Sequence, residues 1–225
     1  MDVRELAGHR LWNALLKARE FERASVGFEP EEAEVEVAWK QFCERFRYDA
    51  AGGGVVPAEY VGCEAGDLRE WVRRDVRIAQ WKRKRFEAEV ERHYQQRRGA
   101  LDRVVYSILR VKDAGLATEL WFRLREGEAT FADLAPRYAA GNEVYTGGVV
   151  GPVMYGMIHP MLAGILRSAA PRELLRPAVV GEWHLVLRVE HQLPSELDET
   201  IRAQMVDELA QMWCDSQIHG NETSR

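Results

Sequence analysis

Cysteine is scarce, and its placement rules out the usual frameworks. Cys43, Cys63 and Cys214 are the only three in 225 residues. They are odd in number, far apart and lack CxxC spacing. That excludes a disulfide scaffold and a thiolate zinc site, and leaves incidental thiols. The six histidines include no HExxH or other paired spacing. A Walker loop, a GxGxxG turn and a GxSxG elbow are all missing. No metal and no cofactor are therefore expected. An excess of positive charge is also lacking: the formal net charge is −5, which gives no overall support to nucleic-acid binding. The opening MDVRELAGHRLWNALLKARE is charged from the start and has no continuous apolar run. It reads as neither a secretory signal nor a membrane span. The expectation is a soluble, cytoplasmic chain without membrane insertion.

What is present begins with helical patterning. Leu6, Leu11, Leu15, Leu16 and Phe21 recur at helical spacing over residues 3–24. Over 29–48, Pro30 and the acids after it suit a helix start. Val35, Trp39, Phe42 and Phe46 then form one stripe. The stretch DAAGGGVVPAEYVGCEAG reads as a loop. Asp67 with Glu70 resembles a capping box opening a long helix to about Arg98. That helix carries WKRKRF, with Lys82, Arg83, Lys84 and Arg85. It reads either as a solvated face compensated by Glu87, Glu89 and Glu91 or as a basic site for nucleic acid or an acidic partner.

After Gly99 the pattern changes. RVVYSILRV is a β-branched run and predicts a strand. Helices are predicted in DAGLATELWFRLREGE, ATFADLAPRYAAG and HPMLAGILRSA, and a final strand in VVGEWHLVLRVEHQ. Between the second and third of these helices lies YTGGVVGPVMYGMIHPM, with four glycines, two prolines and three methionines. Glycine and proline oppose a helix there, and the apolar content opposes a solvated linker. It is read as an irregular glycine segment. Leu197, Ile201, Met205, Leu209 and Trp213 recur every four residues. Such a stripe needs a partner, so the last helix is expected to fold back onto the first ones.

Residues 103–190 resemble the parvulin family of peptidyl-prolyl cis–trans isomerases. The likeness runs through Ile108-Leu109, the turn at Gly127-Glu128, FADLAPRY, GGVVG, GMIHPM and WHLVLRVE. The helical flanks resemble foldase chaperones of the SurA and PrsA type, which insert a parvulin domain between N-terminal helices and a returning C-terminal helix. The resemblance implies an α+β chain. A helical chaperone-like domain at 1–100 is completed by a C-terminal helix at 192–225. An inserted parvulin-like domain, a small antiparallel sheet flanked by helices, covers 101–191.

By the resemblance, Val150, Met157, Met161 and Leu162 line an apolar pocket for a proline ring, where methionine's flexible thioether adapts to varied ligands. The same methionines also fit ordinary core packing. The family's strand histidine falls at Ser107, beside Tyr106. Its Asp or Cys falls at Ala140-Gly141, and its acidic turn residue at Val149. His184 is the retained histidine, either a site residue or a core one. Ser107, Tyr106 and His184 are thus the catalytic candidates. The implied activity is binding of proline-containing unfolded or precursor polypeptide with weak isomerisation. The alternative is a catalytically silent peptide-binding chaperone, or an adaptor for a peptide-export system.

Overall fold

The computed structural model of the chain describes residues 11–49 and 65–222. Leu6 and His9, the loop across 50–64 and Cys63 lie outside the described residues. The chain divides into two compact units, one formed by residues 1–93 with 198–225 and the other by 94–197.

In the first unit, α1 (Trp12–Ala24), α2 (Glu32–Phe46), the start of α3 (Ala65–Leu101) and α7 (Glu199–Glu222) are helical. Part of the stripe on α7 is buried within this unit: Met205 is closed off, and Leu209 and Trp213 are half-buried. Met205, Ala210 and Cys214 are closed off from solvent, and Trp213 packs with Phe21, Trp81 and Phe86. The Trp81 and Trp213 ring centroids are 5.3 Å apart. Burial is worth roughly 1.5–3 kcal/mol for each large apolar side chain. The local start of α7 is set by the Asp198 carboxylate, which accepts the Ile201 N–H at 2.8 Å. A second cluster joins Phe42 and Tyr48 to Leu68 and Val72, with Trp39 stacked on Phe42.

The basic run on α3 is matched by acids of the same unit. Lys82 meets Asp207 at 3.0 Å, Arg83 meets Glu34 at 3.6 Å and Arg85 meets Glu89 at 3.7 Å. Lys84 lies over the Phe28 ring. Among the described residues, no helix is long and apolar enough to cross a membrane.

The second unit is an α+β layer structure. Its antiparallel sheet has the order β2-β1-β4-β3. The strands are β1 (Arg103–Val111), β2 (Val149–Met154), β3 (Ala178–Val180) and β4 (Trp183–Leu193). The helices are α4 (Ala114–Arg125), α5 (Phe131–Tyr138) and α6 (Pro160–Ser168). Side chains alternate between faces along a strand, and both faces of β1 are covered. Leu109 and Val111 join Val186, Leu120, Phe131 and Leu134 under α4 and α5. Ile108, Leu185 and Leu187 join Ala163 and Leu166 under α6.

Caps fix the helix starts. Asp113 accepts the Leu116 N–H at 2.6 Å, and Thr130 with Asp133 forms a capping box. The two ends of the unit are tied together. The Asp102 carboxylate accepts the Ser195 N–H and hydroxyl at 2.7 and 2.9 Å, and the Tyr94 hydroxyl donates to the Ser195 carbonyl at 2.7 Å.

Two readings from the sequence are refined here. The stretch VVGEWHLVLRVEHQ is a hairpin, β3 then β4, turning at Gly181-Glu182. The glycine segment is only partly irregular. It contains the edge strand β2, flanked by 3-10 turns at Asn142–Thr146 and Tyr155–Met157. β-Branched Val149, Val150 and Val153 favour pairing with β1 despite the neighbouring glycine and proline.

Candidate functional site

One face of the sheet carries an open groove of about 820 Å³. Ile108 of β1 and Leu185 of β4 form part of its lining. Val150 of β2, Leu162 of α6 and Val180 with Trp183 of the hairpin add apolar surface. The glycine segment is what brings β2 there. Gly151 has φ +116°, and a Cβ on it would stand 2.5 Å from the Val104 carbonyl oxygen. Only glycine lets the two backbones approach this closely.

The polar groups of the groove are Tyr106, Arg110, Asn142, Glu143, Thr146, His159 and Glu182. Arg110 and Glu143 form a two-pronged ion pair. Arg110 Nε donates to Oε1 at 2.9 Å and Nη2 donates to Oε2 at 2.5 Å. The carboxylate is fully buried, while 40% of the Arg110 side chain remains exposed. Burial alone would raise the Glu143 carboxyl pKa. Hydrogen bonds and charge from Arg110, with backbone N–H groups, outweigh it and hold the carboxyl below its ordinary value. The hydrogen bond to Glu143 pushes the Arg110 guanidinium up in turn. Gly141 makes room for the pair: a Cβ on it would overlap both the Arg110 guanidinium and the Glu143 carboxylate.

Tyr106 is buried, and its hydroxyl has no hydrogen-bond partner among the described residues. Burial pushes the phenol pKa up, against a downward pull from Arg110. No group of three His, Cys, Asp or Glu among the described residues could hold a metal ion.

The residues singled out in the sequence are not all brought together. Tyr106, Val150 and Leu162 line the groove. Ser107 and His184 lie on the opposite face of the sheet. Ser107 donates its hydroxyl to Glu190 and pairs across strands with Arg188, whose guanidinium covers Phe131. His184 sits opposite Val111, a member of the cluster under α4 and α5. Met157 and Met161 are 79% and 56% exposed and lie outside the groove lining, so they are not core packing either.

Arg110 and Glu143 were not singled out. Arg110 had a legible signal, because it falls in phase with Tyr106 and Ile108 on a strand otherwise apolar on that face. A charge in that phase needs a partner. Nothing local marks Glu143 as that partner.

No family model matches the chain, and no curated protein matches it by sequence. Solved structures do. The chain is similar to the peptidylprolyl isomerase PrsA of Bacillus anthracis at 15% identity, over 92% of this chain and 93% of that one, with a TM-score of 0.44. It is similar to PrsA of Bacillus cereus at 18% identity, over 97% and 82%, with a TM-score of 0.45. A SurA-like chaperone of Campylobacter jejuni matches at 14% identity, over 86% and 77%, with a TM-score of 0.42. Likeness at this level transfers no residue roles. The structures this chain is similar to over most of its length are thus PrsA and SurA-like proteins.

Proposed function

We propose that this chain is a parvulin-like peptide-binding foldase that holds proline-containing segments of unfolded or precursor polypeptide and isomerises them slowly. The observation that carries the reading is the groove. It has apolar walls from Val150, Leu162, Val180 and Trp183, with polar groups that include the Arg110–Glu143 pair. Open apolar concavities with a small number of placed polar groups are the usual form of ligand sites. Of the residues that the resemblance to parvulins implies for the site, Tyr106, Val150 and Leu162 line this groove.

Prolyl isomerisation needs no nucleophile. It needs the amide, with its barrier of about 18–20 kcal/mol, to be bound more tightly when twisted than when planar. An apolar wall that strips water from the amide and a fixed donor beside it are sufficient kinds of device. The test is titration of the full chain with proline tetrapeptides, followed by amide shifts. Binding should perturb residues of β1, β2 and α6, and Leu162→Ala should weaken it about tenfold. Unchanged affinity in a folded Leu162→Ala chain would refute the groove as the peptide site.

A second reading, a silent peptide holder, is favoured by one observation: Ser107 and His184 lie off the groove, on the other face of the sheet. Peptide binding without any acceleration of cis–trans exchange would establish it.

A further inference from the structure

We propose that Arg110, held in place by Glu143, is the hydrogen-bond donor that the groove offers to the twisted proline amide. This rests on the peptide-binding reading above and assigns the chemistry within it. Glu143 uses Nε and Nη2 of the guanidinium, and Nη1 has no partner among the described residues. The pair is built into the groove lining and the carboxylate has no exposure, so Glu143 serves to position Arg110. Gly141, lacking a Cβ, leaves the space the guanidinium fills. The Ala140 N–H donates to the Arg110 carbonyl at 3.0 Å and fixes that loop against β1.

A planar amide nitrogen shares its lone pair with the carbonyl and is a poor acceptor. Rotation about the C–N bond breaks that resonance and localises the lone pair. A donor fixed beside the nitrogen therefore binds the twisted form better than either planar form. No covalent bond is made or broken and no proton is transferred. The guanidinium suits this role because it stays charged and its fork is rigid. The charge balance points to an uncharged ligand group. Glu143 neutralises Arg110, and the other carboxylate of the lining, Glu182, is paired with Lys112 at 3.5 Å.

Exchange NMR on the full chain measures peptide affinity and cis–trans exchange together, using Ala-Ala-Pro-Phe and Ala-Glu-Pro-Phe as probes. Arg110→Lys keeps the charge but loses the fork. Arg110→Met with Glu143→Gln removes both charges and leaves no buried carboxylate unpaired. Both variants should bind the first peptide within threefold of the parent and accelerate its exchange at least tenfold less. The parent should bind the two peptides within a few-fold of each other. Three results overturn the assignment while leaving peptide binding intact: no acceleration by the parent, full acceleration by the folded double variant, or a tenfold preference for the acidic peptide, which would make Arg110 an anion receptor. Failure of the parent to bind either peptide would overturn both readings.

Discussion

Placing a methyl group on Gly141 tests whether the Arg110–Glu143 pair is a fixed part of the groove. The Gly141 backbone is extended, with φ −118° and ψ −169°, so alanine meets no backbone strain. Were the space empty, Gly141→Ala would stabilise the fold by about 0.4–1 kcal/mol through the unfolded chain. The added Cβ instead overlaps the guanidinium and the carboxylate. Arg110 is 40% exposed and can swing into water, whereas Glu143 is fully buried and cannot. The cost is then that of a buried acceptor left short of partners, about 1–3 kcal/mol. It falls below the roughly 3–5 kcal/mol of breaking a wholly buried pair.

The assay is urea unfolding of the full chain with amide exchange read along β1. The same substitution in the Arg110→Met, Glu143→Gln background should cost much less, giving a coupling of about 1–2 kcal/mol. A stabilised Gly141→Ala chain, or equal costs in the two backgrounds, would refute the reasoning. The same overlap predicts that an acid at this position, Gly141→Asp, disrupts the pair.

Three further outcomes are expected. The folded Glu143 carboxyl lies below its ordinary value, so its contribution to stability is fully present above a pH of about 4.3. That contribution is lost as pH falls through the lower folded value, and acid titration of β1 protection should lose this slope in Glu143→Gln. Met205 is fully buried on α7, so Met205→Ala should cost about 2–5 kcal/mol. Exchange protection should fall in α1 and α3 before it falls in the sheet; equal losses in both would refute the assignment of α7 to the helical unit. Met157→Ala and Met161→Ala should leave thermal stability within about 0.5 kcal/mol, since both side chains are largely exposed. A loss beyond 1 kcal/mol in either would return these methionines to a packing role.

Local pattern in the sequence was enough to mark most of the helices and β1, but the edge strand β2 and the β3–β4 hairpin were not singled out from it. Periodicity is a local property, and it was enough for β1, α4, α5 and the striped α7. A stripe on α7 needs a partner, and Leu209 and Trp213 of that stripe pack with Phe21, Phe86 and Trp81. The two-fold alternation of β1 also held all the information needed to separate Tyr106 from Ser107, since neighbours on a strand face opposite ways. Which face would become the groove was not written in it. That depended on where β2 and α6 settle, and hence on the close approach of Gly151 to Val104. The hairpin of β3 and β4 had a legible signal, because Gly181-Glu182 interrupts the apolar run and Gly181 takes φ +61° at the turn. Tertiary structure alone decided the polar chemistry. Arg110 and Glu143 are 33 residues apart, and no local pattern couples a charge on a strand to a carboxylate in a distant 3-10 turn. Their pairing follows from the cost of burying either one alone, and that cost exists only once the sheet and the loop have met.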